Sequence, residues 1–174
     1  MVFGEILPGR PLDRGLENTI GFEEGVHTVV TTLYRHPKAY RDKIERVIQE
    51  FLRLGHIGPS SSPFASSIVL GKKKYGTLHM CMDLRALNKK ILKNRYSIPC
   101  IDELIDELRG VNYFSKIDLR LGYHRIQVRE KDIPKVTFHY HYGHFEFLVM
   151  PFRLTNTLAM FESCMNHVFP KQLR

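Results

Sequence analysis

The amino-acid sequence predicts an α+β fold, because short apolar strands mix with amphipathic helices and show no regular βαβ alternation. The 174 residues are 43% hydrophobic and include 11 Phe and 8 Tyr, which is enough apolar surface for a packed core. No apolar run reaches the roughly 18 residues that a membrane-spanning helix needs. We therefore expect a folded domain without a membrane partner.

The N-terminal region predicts an arm followed by a helix. Residues 1–35 show no helical period and are interrupted by Gly and Pro, so we expect them to be extended, with one strand at 26–33. Residues 44–52 carry apolar side chains at steps of three and four, which predicts a helix. Pro37 suits its first turn, and Gly55 predicts a left-handed cap at its end.

Two hairpins are predicted further along the chain. Residues 67–70 and 78–84 are apolar and flank a lysine-rich turn at 72–74, which favours the first hairpin. Residues 136–140 and 145–150 flank a short polar turn and predict the second.

The remaining apolar patterns predict two helices and a strand. Residues 101–108 predict a short helix whose acidic side chains face solvent, and residues 111–119 predict a strand. A last helix is predicted from the stripe formed by Leu158, Phe161, Met165 and Val168.

Charge and cysteine content favour a nucleic-acid-binding protein over a zinc-binding or disulfide-stabilised one. Lys and Arg outnumber Asp and Glu by 26 to 18, which favours a polyanionic partner such as nucleic acid. The three cysteines show no CxxC spacing, so a zinc knuckle and a disulfide framework are both disfavoured. Cys81 and Cys164 lie in apolar patterns and are expected to be buried thiols in an intracellular setting.

Two sets of residues are candidate metal ligands. Asp118 ends an apolar strand beside a glycine, where a carboxylate can hold a metal ion, although on local sequence alone an aspartate there more often caps a helix. His124, His139, His141 and His144 lie near one another in sequence and suggest zinc, but histidines around a hairpin turn are more often exposed polar side chains. Local sequence leaves these alternatives open.

Four segments together resemble the reverse transcriptases of gypsy-type LTR retrotransposons. Their order, spacing and uncommon residue combinations match that family across almost the whole chain. The segments are GHIGPSSSPFAS, KKKYGTLHMCMDLRALNKK, IPCIDELIDELRGVNYFSKIDLRLGYHRIQV and DIPKVTFHYHYGHFEFLVMPFRLTN.

The resemblance implies a right-hand polymerase fold with nearly complete fingers and a truncated palm. Residues 1–35 would be an extended arm or linker, because LPGRPLDRGLENTI is similar to the segment that follows the protease in such polyproteins. The fingers would comprise 36–93 and 126–155. The palm would comprise 94–125 and, incompletely, 156–174.

The resemblance also implies a function. The chain would be a fragment of an RNA-directed DNA polymerase, an enzyme that adds deoxynucleotides to a primer. Its partners would be an RNA or DNA template-primer and deoxynucleoside triphosphates, with Mg²⁺ as cofactor. Asp118 matches the first metal-binding, catalytic aspartate. Tyr123 matches the aromatic residue that disfavours a 2′-hydroxyl, and Phe152 matches a nucleotide-pocket residue. Lys73 and Arg85 match cations that touch the triphosphate or the template.

The sequence also departs from the family pattern. Arg153 replaces an expected Gly, Leu158 an expected Pro, and His79 an expected Arg. The Tyr-x-Asp-Asp motif is absent from these residues, so we expect the chain as it stands to be inactive. The alternatives are a non-catalytic nucleic-acid-binding module and a non-functional retrotransposon relic. The oligomeric state is not predicted.

Overall fold

The computed structural model describes most of the chain. The exceptions are residues 1–8, 73–77, 95–101, 103–104, 107, 114–118, 120, 142 and 171–174.

Short strands and helices make up most of the described structure. Of the helix predicted at 101–108, Asp102, Ile105 and Asp106 are helical, and 101, 103–104 and 107 lie outside the described residues. None of the helices among the described residues is long and apolar enough to cross a membrane. The helices are α1 (Lys38–Arg53), α2 (Arg85–Asn88) and α3 (Thr157–Val168), with 3₁₀ turns at Gly122–Arg125 and Glu130–Lys135. The strands are β1 (Ile57–Pro59), β2 (Ile68–Lys72), β3 (Leu78–Met82), β4 (Thr137–Tyr140) and β5 (Gly143–Phe147).

The strands form two antiparallel sheets. One has the order β1-β5-β4, so that β5 lies between its hairpin partner and the distant strand β1. Ile57 pairs with Phe147 and Phe138 with Phe145. The other sheet is the β2-β3 hairpin, in which Ile68 pairs with Met82.

The predicted helix at 44–52 and both predicted hairpins are confirmed. Helix α1 begins after Pro37 and buries Ile44 and Ile48 from its apolar stripe. Gly55 follows its C-terminus with φ +68°, a backbone conformation that a side chain would disfavour. The tip of the β2-β3 hairpin lies outside the described residues.

The predicted strand at 26–33 is wrong. Only an isolated bridge between Val30 and Ala65 forms there, and Val30 remains 65% exposed. β-Branched residues favour extended backbone, but a strand also needs a continuous partner, and this segment finds one at a single position. Of the predicted strand at 111–119, residues 111–113 are not in a strand and 114–118 lie outside the described residues.

Helix α3 is confirmed, but its predicted buried stripe is partly wrong. Leu158 and Val168 are 49% and 43% exposed. The buried residues of the helix are Thr157, Ala159 and Cys164. Cys164 packs with Ile126 and Met150 in a small second core, with Phe161 and Met165 at its edge. The covered face of α3 therefore includes Phe161 and Met165 of the predicted stripe but not Leu158 or Val168.

The main core lies between the three-stranded sheet, α1 and the N-terminal arm. Phe138 is fully buried at its centre, with its ring centroid 5.6 Å from that of Phe145 and 5.5 Å from that of Phe147. Ile20 of the arm is only 1% exposed and belongs to the same cluster. Residues 9–35 form no helix and no continuous strand, and part of this arm packs into the core.

A buried carboxylate holds the arm in place. The Ile20 N–H donates to Asp132 Oδ2 at 3.0 Å, and Asp132 is 2% exposed. Lys135 Nζ donates to Asp132 Oδ1 at 2.5 Å and to the Ile20 carbonyl at 2.6 Å. The ammonium also lies 4.8 Å from the ring centroid of Phe22. Asp132 and Lys135 thus bond the arm to the core.

Two histidine rings pack face to edge against aromatic residues of the main core. The His56 and His124 ring centroids lie 5.1 Å apart, and the His124 ring also contacts Phe51 and Phe147. Burial, followed by the neighbouring His56, lowers the pKa of His124 to about 4. Burial and then Arg125 lower the pKa of His56, and Glu50 opposes them. Both rings are therefore neutral near pH 7.

Replacing Asp132 with Ala should lower the free energy of unfolding by about 3–5 kcal/mol, because it leaves the Lys135 ammonium partly buried without its carboxylate. Urea unfolding of the 174-residue chain would measure the change. The matched control is Asp106→Ala, which breaks the exposed pair with Arg109 and should change stability little. Equal effects of the two substitutions would contradict the role assigned to Asp132.

His124 should make the fold sensitive to acid. The unfolded imidazole, with a pKa near 6.5, binds a proton more readily than the folded one, so stability is complete above about pH 6.5 and falls towards pH 4. The expected loss between pH 7 and pH 4 is about 3 kcal/mol. His124→Phe should flatten this dependence, whereas His167→Gln, on the exposed end of α3, should not. Parallel pH profiles for the parent and His124→Phe would refute the prediction.

Candidate functional site

An aromatic group forms one half of the candidate site. Tyr123 lies in the Gly122–Arg125 turn, and its ring centroid lies 5.4 Å from that of Phe152 and 4.9 Å from that of Phe161. A Cβ on Gly122 would come within 3.1 Å of the Phe161 ring, so the glycine permits this close packing. Phe152 remains 54% exposed, which leaves an aromatic surface open to a ligand.

An arginine held by a carboxylate forms the other half. Arg85 donates through Nε to Asp83 Oδ1 at 2.8 Å and through Nη2 to Asp83 Oδ2 at 2.7 Å. The Tyr34 hydroxyl donates to Asp83 Oδ2 at 3.3 Å. The hydrogen bond from Arg85 is the main cause that lowers the pKa of Asp83 to about 2. The guanidinium is fixed in direction yet 79% exposed.

Two asparagines attach the loop after Met150 to the segment that follows β3. Asn88 Nδ2 donates to the Arg153 carbonyl at 2.8 Å, and the Thr155 N–H donates to Asn88 Oδ1 at 3.0 Å. Asn156 Oδ1 accepts from the Asn94 N–H at 2.9 Å, and its Nδ2 donates to the Leu92 carbonyl at 2.9 Å. These contacts fix the loop that carries Phe152 and Arg153.

Two cavities are lined in part by Arg85. The smaller, about 230 Å³, is shared by Arg85, Asn88 and Arg153 above an apolar floor. The larger, about 580 Å³, lies between residues 28–31 of the arm and α2 and is also lined by Lys89 and Lys90. Both lysines are exposed, so the surface around Arg85 is positively charged.

The structure brings three of the predicted site residues into one region. Tyr123 contacts Phe152 directly, and Phe152 precedes Arg153, which shares a cavity with Arg85. Lys73 and Asp118 lie outside the described residues, so the structure gives no position for either of them.

The histidines do not form a metal site in the described part of the chain. His139 and His144 are paired across β4 and β5, and His144 Nε2 lies 3.0 Å from the Phe64 carbonyl oxygen. His124 packs with His56 instead. No group of three or more potential metal ligands occurs among the described residues. His79 lies over its strand partner Gly71, whose added Cβ would come within 2.7 Å of the imidazole.

Sequence reasoning did not select four residues that shape this region. Tyr34 and Asp83 orient Arg85, while Asn88 and Asn156 hold the Phe152 loop. Asp83 and Asn88 flank Arg85 at short spacing, which was the available signal for them. Nothing in the local sequence marks Tyr34, because its partner is 49 residues away.

The chain matches a protein-family model described as reverse transcriptase (RNA-dependent DNA polymerase) over residues 70–174. It is 48% identical over 97 residues to an RNA-directed DNA polymerase homolog of Oenothera berteroana, covering 56% of this chain and 68% of the relative. It is 36% identical over 140 residues to the retrovirus-related Pol polyprotein from transposon 297 of Drosophila melanogaster, covering 78% of this chain and 13% of the relative.

Solved structures show the same fold. The native protease-reverse transcriptase of prototype foamy virus matches with a TM-score of 0.80 and 18% identity, covering 97% of this chain and 22% of that one. The foamy viral enzyme in complex with an RNA/DNA hybrid matches with a TM-score of 0.73 and 16% identity, with the same coverage.

The chain thus spans about two thirds of the plant relative but only a small part of the transposon polyprotein and of the viral enzymes. The family model covers more than half of the chain, and the fold agrees along nearly all of it. Both findings confirm the resemblance read from the sequence, and the chain belongs to the reverse transcriptase family, with relatives among retrotransposon Pol polyproteins.

Proposed function

We propose that this chain provides the template- and nucleotide-binding surface of an RNA-directed DNA polymerase. The observation that carries the proposal is the joining of the Tyr123–Phe152 aromatic pair to the cationic region around Arg85 through a single fixed loop. Aromatic rings offer contact with a sugar or base, and arginines bind phosphate. A nucleotide or a nucleic-acid strand presents both kinds of group side by side.

Arg85 would contact phosphates of the template or the incoming nucleotide. Asp83 fixes its Nε and Nη2, while Nη1 has no hydrogen-bond partner among the described residues. The neighbouring Lys89 and Lys90 and the net charge of +8 support a polyanionic ligand. The foamy viral relatives were solved with double-stranded DNA and with an RNA/DNA hybrid, which agrees with a template-primer as the partner.

Tyr123 would distinguish deoxyribose from ribose. Its ring is held between Phe152 and Phe161 and cannot move aside without breaking both contacts. A fixed ring edge at this position would collide with an additional hydroxyl on the sugar. Phe152, which is more exposed, would form the adjacent wall of the nucleotide pocket.

The family implies Mg²⁺, and Asp118 would be its first ligand. The described residues alone do not offer a set that fits the ion, so we derive no chemical step through it. The metal would supply charge stabilisation for phosphoryl transfer, which needs carboxylates from more than one segment. We therefore propose that these 174 residues by themselves bind nucleic acid and do not extend a primer. Lys73 is proposed as a further phosphate contact.

An intracellular setting is part of the proposal. Cys81 and Cys164 are both buried free thiols, which suits a reducing compartment. Burial, the larger influence, raises the pKa of the Cys81 thiol despite the nearby Arg153, so this cysteine should be unreactive near neutral pH.

Binding of an RNA/DNA template-primer should depend on the Arg85 guanidinium rather than on the Asp83–Arg85 pair. Arg85→Gln should weaken the affinity and lower the salt slope by roughly 0.7–0.9, the value of one phosphate contact. Asp83→Asn, the matched control, keeps the cation and should bind at least as tightly as the parent. Fluorescence anisotropy across a salt series would measure both effects, and addition of Mg²⁺ and deoxynucleotides should produce no extension.

An equal loss of affinity in Arg85→Gln and Asp83→Asn would show that the pair only supports the fold. Magnesium-dependent primer extension by the parent chain would refute its proposed inactivity.

Tyr123→Ala should reduce the preference for a deoxynucleotide over the matching ribonucleotide by roughly tenfold, since removing the ring opens room for one hydroxyl. Competition binding with the two triphosphates in the presence of template-primer would measure the ratio. Tyr123→Phe keeps the ring and is the matched control, so it should retain the preference. If the Phe variant lost it too, discrimination would depend on the phenol oxygen and not on the ring.

A further inference from the structure

The smaller cavity beside Arg85 combines an apolar floor with two arginines. Met82 and Leu84, both nearly fully buried, line its floor together with Val69. The polar lining consists of Asp83, Arg85, Asn88 and Arg153. Two arginines and one aspartate therefore line a volume of about 230 Å³.

The charges of this cavity do not cancel. Asp83 is neutralised by its bidentate contact with Arg85. Arg153 is exposed and makes no ion pair with any described residue. Its positive charge acts on Cys81, the strand partner of Val69. There it lowers the pKa of the thiol, against the larger effect of burial, which raises that pKa. The cavity thus carries one excess positive charge.

The backbone of Arg153 is fixed in a conformation that a side chain disfavours. Its φ is +73°, in the left-handed region where Gly is the usual residue. The Asn88 amide holds this conformation from both sides, through the Arg153 carbonyl and the Thr155 N–H. Backbone outliers of this kind cluster at ligand-binding sites, so a long cation held there by a fixed loop is a candidate ligand contact.

The size of the cavity limits what it can hold. Sites for whole small-molecule ligands usually measure about 300–1,000 Å³, and this cavity is smaller. A single tetrahedral oxyanion suits the space. The Arg153 guanidinium can present paired N–H donors that match phosphate oxygens, and Arg85 adds Nη1, since Asp83 holds its Nε and Nη2. The Asn88 side chain contributes to the polar rim, while the apolar floor limits competition from water.

We propose that Arg153 and Arg85 together bind one phosphate group in this cavity. The phosphate belongs either to the backbone of a bound strand or to free phosphate, since the recognition chemistry is the same. The strand source rests on the proposed function, but the anion site itself does not. Arg153 is thus a second phosphate ligand that the resemblance to the family did not supply.

Two titrations of the full 174-residue chain test the proposal. In the first, a short single-stranded oligonucleotide is bound across a salt series. Arg153→Gly should lower the salt slope by roughly 0.7, the value of one phosphate contact on a single strand, and Arg153→Lys should keep most of it. In the second, inorganic phosphate should raise the melting temperature of the parent more than that of Arg153→Gly. Arg53→Gln, on the exposed end of α1, is the control for loss of one charge.

Each outcome bears on the site. A lower slope without phosphate-induced stabilisation supports a strand phosphate, and stabilisation without a lower slope supports free phosphate. If Arg153→Gly and Arg53→Gln behave alike in both titrations, the effect is one of overall charge and the site is refuted. If neither the parent nor any variant binds template-primer, but phosphate still stabilises the parent more than Arg153→Gly, the proposed function alone is refuted.

Folding of the variants is not expected to confuse these results. Gly adopts a positive φ without strain, so Arg153→Gly should melt at or above the parent in the absence of phosphate. Arg153→Asn gives a second neutral variant, because Asn also tolerates this backbone region. A phosphate response that is equal in the parent and in both neutral variants would refute the proposal independently of their stability.

Discussion

The side-chain amide of Asn88 is the contact on which the candidate site depends. Its nitrogen satisfies the Arg153 carbonyl and its oxygen satisfies the Thr155 N–H, so one residue bonds to both ends of a tight turn. That turn carries Phe152 towards Tyr123 and Arg153 towards Arg85. The amide also holds the backbone of Arg153 in its left-handed conformation, which is strained for a residue with a side chain.

The N-terminal arm extends the packed unit beyond the residues that the family model matches. The match begins at residue 70, yet Asn18 and Ile20 lie in the interior at 1% exposure each. Asn18 exchanges backbone hydrogen bonds with Gln127 and Arg129, and Ile20 is bonded to Asp132. The arm also forms one wall of the larger cavity beside α2. It therefore contributes both to stability and to the proposed binding surface.

Electrostatic balance within the site follows from which cations have partners. Asp83 fixes the direction of the Arg85 guanidinium and also cancels much of its charge. The attraction of Arg85 for an anion is weakened as a result. Arg153 and the two exposed lysines of the α2 region have no such partner among the described residues. A polyanion approaching this surface would meet one oriented donor group and several exposed cations, a combination suited to binding that tolerates sequence variation.

By itself the sequence determined α1, both hairpins and the left-handed Gly55, because each is encoded by periodicity or by a residue whose backbone preference is local. It also determined the family, because the matching sequence segments are long enough to be specific. Tyr123 and Phe152 could be selected in this way, and the structure places them in contact.

Only the tertiary structure decided which faces were covered and which polar groups met. The pattern of α3 showed an apolar stripe, but Leu158 is exposed because the covering residues lie to one side of it. The contacts of Asn88 with Arg153 and of Ile20 with Asp132 join residues that are 65 and 112 positions apart. Local propensity carries no information about such pairs, since a hydrogen-bonding side chain is specified only when packing brings its partner within reach.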